Sequence, residues 1–208
     1  MGQKVHPYIF RILNGKNWKS SWFAKKKNFA TFLHQDLIIK NAIKKEFKDA
    51  GIADIGIERY SDKLVVKILT SRPGVIIGKE GAEIDRVKLL LQVKLQTRNL
   101  ELKVEEVRKA EAVASLVAES IAHQIERRVP YRKAVKQALE KSTEAGVKGI
   151  KVKVGGRLNG SDIARRETFS KGAIPLHTIR SNIDFSDFPA HTTYGAIGVK
   201  VWLYHGEF

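Results

Sequence analysis

The stretch that decides the fold reads Arg72-Pro73-Gly74-Val75-Ile76-Ile77-Gly78-Lys79-Glu80-Gly81-Ala82-Glu83-Ile84. Two glycines enclose a lysine and a glutamate, and apolar residues at helical spacing follow as far as Leu95. Glycine permits close backbone approach and unusual dihedral angles, and a helix that begins just after such a turn offers free N–H groups to a phosphate. The pattern therefore predicts a phosphate-binding turn whose ligand is either a nucleotide or a polynucleotide.

The segment from Gly74 to Lys79 approaches the nucleotide-binding P-loop but departs from it at two points. The P-loop has four residues between its glycines, and a Ser or Thr after the lysine ligates Mg²⁺. Here three residues separate Gly74 from Gly78, and Glu80 follows Lys79. Because a carboxylate repels phosphate and cannot replace the hydroxyl, we reject nucleotide binding in favour of a polynucleotide.

The elements around the turn predict the order α-β-β-α-α-β. A helix is expected over residues 36–50, with Leu37, Ile38, Ala42 and Phe47 as its inner face, and strands are expected over 54–59, 63–70 and 100–105. A Gly-X-X-Gly turn between two helices is typical of the KH module, which clamps four nucleotides of single-stranded backbone. This order resembles the type II KH arrangement. The predicted RNA contacts of the turn are Gly78, Lys79, Glu80 and Gly81.

Two interpretations of this turn stay open. Lys79 and the start of the next helix supply positive charge, whereas Glu80 partly cancels it, so the phosphate affinity should be modest. The alternative is a tight turn between helices that serves packing alone.

Composition favours a nucleic-acid partner. The 208 residues carry a formal net charge of +16 with a pI near 10.0, which indicates nucleic acid first and an anionic membrane surface second. No apolar run reaches the roughly 18 residues of a membrane span, and we expect no membrane association and no secretory signal. The absence of Cys excludes disulfides, thiolate metal sites and Cys nucleophiles, and it is compatible with the cytoplasm.

The positive charge lies on both sides of the glycine turn. Residues 1–48 hold 11 Lys or Arg and 2 acidic residues, residues 49–107 hold 10 of each, and residues 108–208 hold 17 and 10. Residues 1–35 are interpreted as an arm in which basic and aromatic residues alternate, a pattern that suits RNA. The alternative is a terminus whose aromatic residues pack on the domain. The predicted RNA contacts of the arm are Lys4, His6, Arg11, Lys25, Lys26 and Lys27.

The sequence pattern of the second half of the chain predicts two helices against a mainly antiparallel sheet. Helices are expected over residues 110–126 and after Pro130, and the chain from Phe169 to Phe208 is expected to be β. Residues 127–136 hold five basic residues and no acid, which predicts a face for a polyanion. A short helix capped by Ser161 or Asp162 is expected to carry Arg165 and Arg166. Further RNA contacts are predicted at Arg127, Arg128, Arg157, Arg165 and Arg166. The fold class is thus α+β, with a KH domain over 36–107 and a second domain over 108–208.

Several long motifs resemble the bacterial ribosomal protein S-three family of the small subunit. They are Met1–Pro7, Ser71–Gly81, Ile163–Arg166, Pro175–Thr178 and Ala190–Trp202. The resemblance implies a place in the small-subunit head, contact with ribosomal RNA and with the S-ten and S-fourteen protein families, and a lining for the channel where messenger RNA enters. A basic trio that contributes to unwinding messenger RNA in the family matches Arg132, Lys133 and Lys136. The middle position is commonly Arg in the family, and Lys133 keeps the charge without the planar fork.

Catalysis is not expected. The six His residues show no metal-ligand spacing, no Ser lies in a nucleophile elbow, and we expect no cofactor, no metal, no enzymatic activity and no homo-oligomer. The resemblance implies a cytoplasmic location in the ribosome. The main alternative is a free-standing KH regulator or assembly factor, and the third is an RNA-processing enzyme or GTPase, which would need a catalytic domain.

Overall fold

The computed structural model describes residues 4–14, 16–60, 63–95, 97 and 99–208. The chain divides into two compact units. One unit is Trp18–Arg108, and the other combines the segment up to Asn17 with Lys109–Phe208. The domain limits expected from the sequence, at residues 35 and 107, remain predictions.

The unit Trp18–Arg108 has the element order expected around the glycine turn, and a short additional strand precedes it. Its sheet has the order β1-β2-β3-β4, in which β2 and β3 are antiparallel and the two outer pairs are parallel. Helices α1 and α3 bury Ile39, Ile43 and Leu91 in a core with the β3 residues Val66 and Ile68. The elements are β1 Ser20–Ser21, α1 Lys26–Glu46, β2 Ile52–Arg59, β3 Leu64–Thr70, α2 Pro73–Ile77, α3 Ala82–Leu95 and β4 Leu100–Glu106.

Helix α1 begins at Lys26, well before the predicted start at residue 36. Trp22, one of the aromatic residues that suggested an arm, packs on two phenylalanines of this helix. The Trp22 ring lies 5.3 Å from that of Phe29 and 5.7 Å from that of Phe32, and its Nε1–H donates to Asp36 Oδ2 at 2.8 Å. The predicted inner face is also corrected, because Leu37 and Ile38 are 50% and 41% exposed whereas Ile39 and Ile43 are buried.

The second unit has two helices on one four-stranded antiparallel sheet, as predicted. The sheet has the order β6-β5-β8-β7, and every pairing is antiparallel. Val117, Ile121 and Ile125 of α4 form a core with the inward side chains of β5 and β8. The elements are α4 Ala114–Glu126, α5 Tyr131–Glu144, β5 Gly149–Gly156, β6 Arg165–Gly172, β7 Ser181–Thr192 and β8 Gly195–Glu207.

The prediction that a short helix carries Arg165 and Arg166 is wrong. Both residues begin strand β6, where Arg165 pairs with Gly156 and Arg166 with Gly155. The Ser161 hydroxyl donates to the carbonyl of Ile163 at 3.0 Å instead of capping a helix. Local capping chemistry was therefore outweighed by the ladder of hydrogen bonds with β5.

Candidate nucleic-acid interface

The Gly78–Gly81 turn requires glycine at its first position. A 3-10 turn over Lys79–Gly81 joins α2 to α3. Gly78 has φ 71° and ψ −171°, a region essentially restricted to glycine. A Cβ there would lie 2.7 Å from Glu83 Cγ and 2.9 Å from Glu83 Cβ. Gly81 has φ 85°, and its nearest such contact is Ile84 Cγ2 at 4.0 Å.

The charges around this turn only weakly favour phosphate. Lys79 is exposed, but Glu83 and Asp85 lie in the first turn of α3. Acidic residues stabilise a helix N-terminus and occupy the positive end that a phosphate would use. Glu83 also forms an ion pair with Arg86 at 3.8 Å. The side chain of Glu80 lies outside the described residues.

The connection between α4 and α5 places a charged residue where glycine is usual. We call residues 127–136 the α4–α5 corner. The N–H of Arg128 donates to Ile125 O at 2.9 Å and that of Val129 donates to Gln124 O at 3.0 Å, which is the Schellman pattern of helix termination. Arg128 has φ 64°, and it takes the left-handed position that glycine normally fills. Arg127 and Arg128 are both exposed.

The first turns of α5 present three basic side chains to solvent. Arg132, Lys133 and Lys136 are exposed, and we call them the α5 basic face. Within the part of the chain that the structure describes, Arg132 forms an ion pair with Glu167, whereas neither lysine is paired with a carboxylate. Both lysines are exposed and can attract phosphate; that this helix faces a polyanion stays a prediction.

Arg132 belongs to a closed group with Tyr131 and Glu167. Its Nη2 lies 3.2 Å from Glu167 Oε1, its Nε–H donates to the Tyr131 hydroxyl at 3.1 Å, and that hydroxyl donates to the same carboxylate oxygen at 2.9 Å. Hydrogen bonds from Tyr131 and Arg132 hold the pKa of Glu167 below its usual value. The hydrogen bonds to Glu167 and Tyr131 raise the pKa of Arg132.

Strand β6 adds positive charge next to this group. Arg165 and Arg166 are exposed, and the charge of Arg165 is a further cause of the lowered pKa of Glu167. Arg157 is more constrained, because its Nε–H donates to Ser161 O at 3.0 Å and its Nη2 lies 3.0 Å from Asp162 Oδ1. Arg165 therefore shares a surface with the α5 basic face, whereas Arg157 supports its own loop.

The predicted contacts near the N-terminus separate into two groups. Lys4 and His6 are exposed, as are Lys25–Lys27. Lys26 and Lys27 lie in the first turn of α1, which has no acidic residue, so their charges add to the positive end of the helix. Each of these residues is accessible to an anionic partner.

Arg11 is different, because its side chain is 1% exposed. Its Nη2 donates to the carbonyls of Leu176 and Thr178, each at 2.9 Å, and its Nη1 donates to Pro7 O at 3.0 Å. Burial lowers the pKa of Arg11, although a guanidinium stays protonated in proteins. We therefore leave Arg11 out of the interface, since its cation is used inside its own unit.

Two further kinds of site were sought among the described residues. In the ranges that the structure covers, no group of three His, Asp or Glu side chains is placed to hold a metal ion. No helix among those ranges has the length and apolar character needed to cross a membrane.

The fold and these surfaces define an RNA-binding α+β protein with a KH domain and a second helix-on-sheet domain. The model of the KH domain family matches residues 38–112, and that of the ribosomal protein S3 C-terminal domain matches residues 121–203. Both matches confirm the order of domains predicted from the sequence.

Full-length relatives identify the family. A protein of Persephonella marina, named small ribosomal subunit protein uS3, is 49% identical over 207 residues, which cover 100% of this chain and 91% of the relative. A protein of the same name from Exiguobacterium sibiricum is 46% identical, with 100% and 94% covered. One from Solibacter usitatus is 50% identical across 100% of this chain, which spans 60% of that relative. The chain belongs to the uS3 family of small ribosomal subunit proteins.

Proposed function

We propose that the chain is a structural constituent of the small ribosomal subunit that binds ribosomal RNA and helps to form the channel where messenger RNA enters. Membership of the uS3 family supports the ribosomal role. The observation that carries the messenger RNA role is the α5 basic face, where two exposed lysines, with no carboxylate partner among the described residues, and one arginine paired with Glu167 project from a single helix end.

The proposed action on messenger RNA is passive. Lys133 and Lys136 attract phosphates as mobile point charges, whereas Arg132 offers a planar fork that can grip one phosphate with two parallel hydrogen bonds. Side chains of this kind hold strands that have separated, while the ribosome supplies the work of translocation. No step requires a nucleophile, an acid–base pair or a cofactor.

The other basic residues predicted from the sequence, apart from the buried Arg11, are proposed as contacts to ribosomal RNA. Such contacts position a protein on the RNA backbone without reading its sequence. Neighbours from the S-ten and S-fourteen families are part of the same proposal, as the family resemblance implies. The proposed ribosomal RNA contacts are Lys4, His6, Lys25, Lys26, Lys27, Arg127, Arg128, Arg157, Arg165 and Arg166, together with the Gly78–Gly81 turn.

The messenger RNA role is tested by changing Arg132, Lys133 and Lys136 together to Ala in reconstituted small subunits. We expect assembly to be preserved and translation through a message with a stable hairpin to slow about tenfold, since three phosphate contacts are lost. An unstructured message of equal length is the control and should be translated at the wild-type rate. If the variant fails to assemble, the three residues bind ribosomal RNA and the channel proposal is wrong.

The competing role, a free-standing KH regulator or assembly factor, makes a different prediction. A ribosomal constituent should co-sediment with mature small subunits after a high-salt wash, because its shaped contacts survive the screening of long-range charge. A regulator should wash off and should bind selected single-stranded sequences through the Gly78–Gly81 turn. Loss of the chain from washed subunits would therefore contradict the proposal.

A further inference from the structure

Glu167 is an acidic residue beside a basic surface, and attraction of that surface for RNA does not explain its presence. It projects from β6 toward the α5 basic face, where a carboxylate reduces the attraction for RNA. Its Oε1 nevertheless accepts hydrogen bonds from both Arg132 Nη2 and the Tyr131 hydroxyl, at 3.2 Å and 2.9 Å. The Arg132 side chain remains 71% exposed, so the contact restrains this arginine without burying it.

The contact uses one edge of the guanidinium and leaves the other open. Arg132 Nε–H points to the Tyr131 hydroxyl at 3.1 Å, and one Nη2–H points to Glu167. These two donors form the side edge of the fork. The Nη1 group and the second Nη2–H form the end edge, which has no hydrogen-bond partner among the described residues. This free edge has the spacing that two phosphate oxygens require.

The support beneath the guanidinium is a buried, packed aromatic side chain. Tyr131 is 6% exposed, and its ring packs 6.5 Å from that of Phe169 on β6. The Arg132 Cζ lies 5.7 Å from the centre of the same Tyr131 ring. A hydroxyl fixed by a buried ring therefore gives Arg132 and Glu167 a common anchor. Lys133 and Lys136 have no such tether among the described contacts.

We propose that Glu167 is a positioning residue that, through the Tyr131 hydroxyl, holds the Arg132 guanidinium with its free edge toward an RNA phosphate. This proposal rests on the proposed binding of RNA by the α5 basic face. An untethered arginine loses rotamer freedom when it binds, and a side chain held in its binding conformation avoids much of that loss. The carboxylate thus strengthens the contribution of Arg132 while it weakens the overall charge.

The opposite role for Glu167 is competition, in which the carboxylate merely withholds Arg132 from phosphate. Both roles predict a change in affinity when Glu167 is replaced, so a single variant cannot separate them. The sign of the coupling between the two residues does. If Glu167 positions Arg132, loss of Arg132 matters more when Glu167 is present. If Glu167 competes, loss of Arg132 matters more when Glu167 is absent.

The test is a double-mutant cycle on the full chain with R132A, E167Q and the double variant, measured by fluorescence anisotropy with a labelled single-stranded RNA at fixed salt. We expect R132A to weaken binding about tenfold when Glu167 is present and about threefold in the E167Q background. The smaller penalty is expected because E167Q turns the bidentate contact of Arg132 with phosphate into a mobile one. Equal penalties, or a larger penalty in the E167Q background, would overturn the positioning role and leave the RNA contact standing. No penalty in either background would show that Arg132 does not bind RNA, and the proposed function would lose that residue.

A matched control separates positioning from charge. Glu140 lies on α5, is exposed and has no described ion pair, so E140Q removes one negative charge from the helix that carries Arg132, whereas E167Q removes one from β6. We expect no coupling between E140Q and R132A. Slow rotation of the Arg132 guanidinium, followed by NMR at Nε, should persist in E140Q and be lost in E167Q. Slow rotation retained in E167Q would contradict the tether, whatever the affinities.

Discussion

The Gly78–Gly81 turn and the α4–α5 corner each contain a residue at positive φ, and they fill that position with very different residue types. In each, the chain passes through positive φ beside a helix end, at 71° for Gly78 and at 64° for Arg128. The turn uses a residue with no side chain, so its backbone can approach a ligand. The corner uses an exposed arginine, so it accepts an unfavourable backbone conformation and gains a cation. We infer that the turn is built for shape and the corner for charge.

The surrounding electrostatics follow the same division. Acidic residues flank the turn, with Glu83 and Asp85 in the first turn of α3. At the corner, the carboxylate of Glu167 is held by Arg132 and Tyr131. A turn that is shaped for phosphate but partly neutralised identifies the fold more than it supplies affinity.

The largest effect is expected for Gly78→Ala. The substitution places a Cβ at a φ and ψ essentially restricted to glycine and within 2.9 Å of two Glu83 side-chain atoms. We expect the unit Trp18–Arg108 to lose about 2–3 kcal/mol of unfolding free energy. Chemical denaturation followed by circular dichroism measures this loss.

Gly74→Ala and Gly81→Ala are the matched controls for that substitution. Gly74 lies in α2, has no atom within 4 Å of an added Cβ and should tolerate Ala without loss. Gly81→Ala should cost about 1 kcal/mol, since only its positive φ opposes the change. If Gly78→Ala is no worse than Gly81→Ala, the close packing on Glu83 has no role in shaping the turn.

Arg128→Gly is expected to raise stability and lower RNA affinity at once. Glycine takes positive φ without steric cost, so we expect a gain of about 0.5–1 kcal/mol in the unfolding free energy of the corner's unit. The lost cation should weaken RNA binding about threefold. Thermal unfolding and anisotropy on the same preparations measure the two effects.

Two further variants of Arg128 separate backbone from charge. Arg128→Ala removes the cation and keeps the strain, so it should bind RNA as weakly as the glycine variant without the gain in stability. Arg128→Lys keeps both the charge and the strain, and should resemble wild type in each measurement. Wild-type affinity in the glycine variant would remove Arg128 from the interface and leave its backbone conformation without a functional reason.

The sequence predicted the glycine turn and both helices of the second unit because those features depend on local patterns. Gly78 and Gly81 have positive φ, one of the unusual dihedral angles that glycine permits, and α5 follows Pro130 as expected. The early start of α1 was not predicted because the aromatic residues of the first 35 positions, such as Trp22, suit RNA stacking as well as they suit packing. Only their mutual contacts decide between the two.

The Glu167 contact was also beyond the reach of the sequence. Residues 131–132 and Glu167 are distant in the chain, and their meeting depends on how β6 pairs with β5. The same pairing made Arg165 and Arg166 strand residues, although Ser161 and Asp162 offered a helix cap. Similarly, burial of Arg11 depends on carbonyls near residue 176. Long-range geometry, rather than composition, decides which basic residues remain free.

A smaller effect is expected when one lysine is removed from each region, Lys133 from the α4–α5 corner or Lys79 from the glycine turn. Lys133→Ala should weaken RNA binding about threefold and reduce the slope of log affinity against log salt by about 0.7, the value for one phosphate on a single strand. Lys79→Ala should change both quantities less, because Glu83 and Asp85 lie close to it in the sequence. Titrations at several salt concentrations measure both slopes. A larger change for Lys79 would make the glycine turn the principal anchor and reverse the comparison.

The smallest expected effect uses pH to separate the two units. Burial lowers the pKa of His205, which lies in the corner's unit, and the charge of Lys16 lowers it further while that of Asp184 opposes the shift. The unfolded state therefore binds a proton more readily, so the stability that neutral His205 provides is present above its ordinary pKa of about 6.5 and is lost as pH falls toward its folded value. Protection from hydrogen exchange in this unit should be weaker near pH 6 than at a pH well above 6.5. Protection in Trp18–Arg108 should be the same at both pH values. His205→Gln should abolish the difference. The lowered pKa values of Glu58 and Glu167 act only in a more acidic window, so equal loss of protection in both units near pH 6 would contradict the assignment to His205.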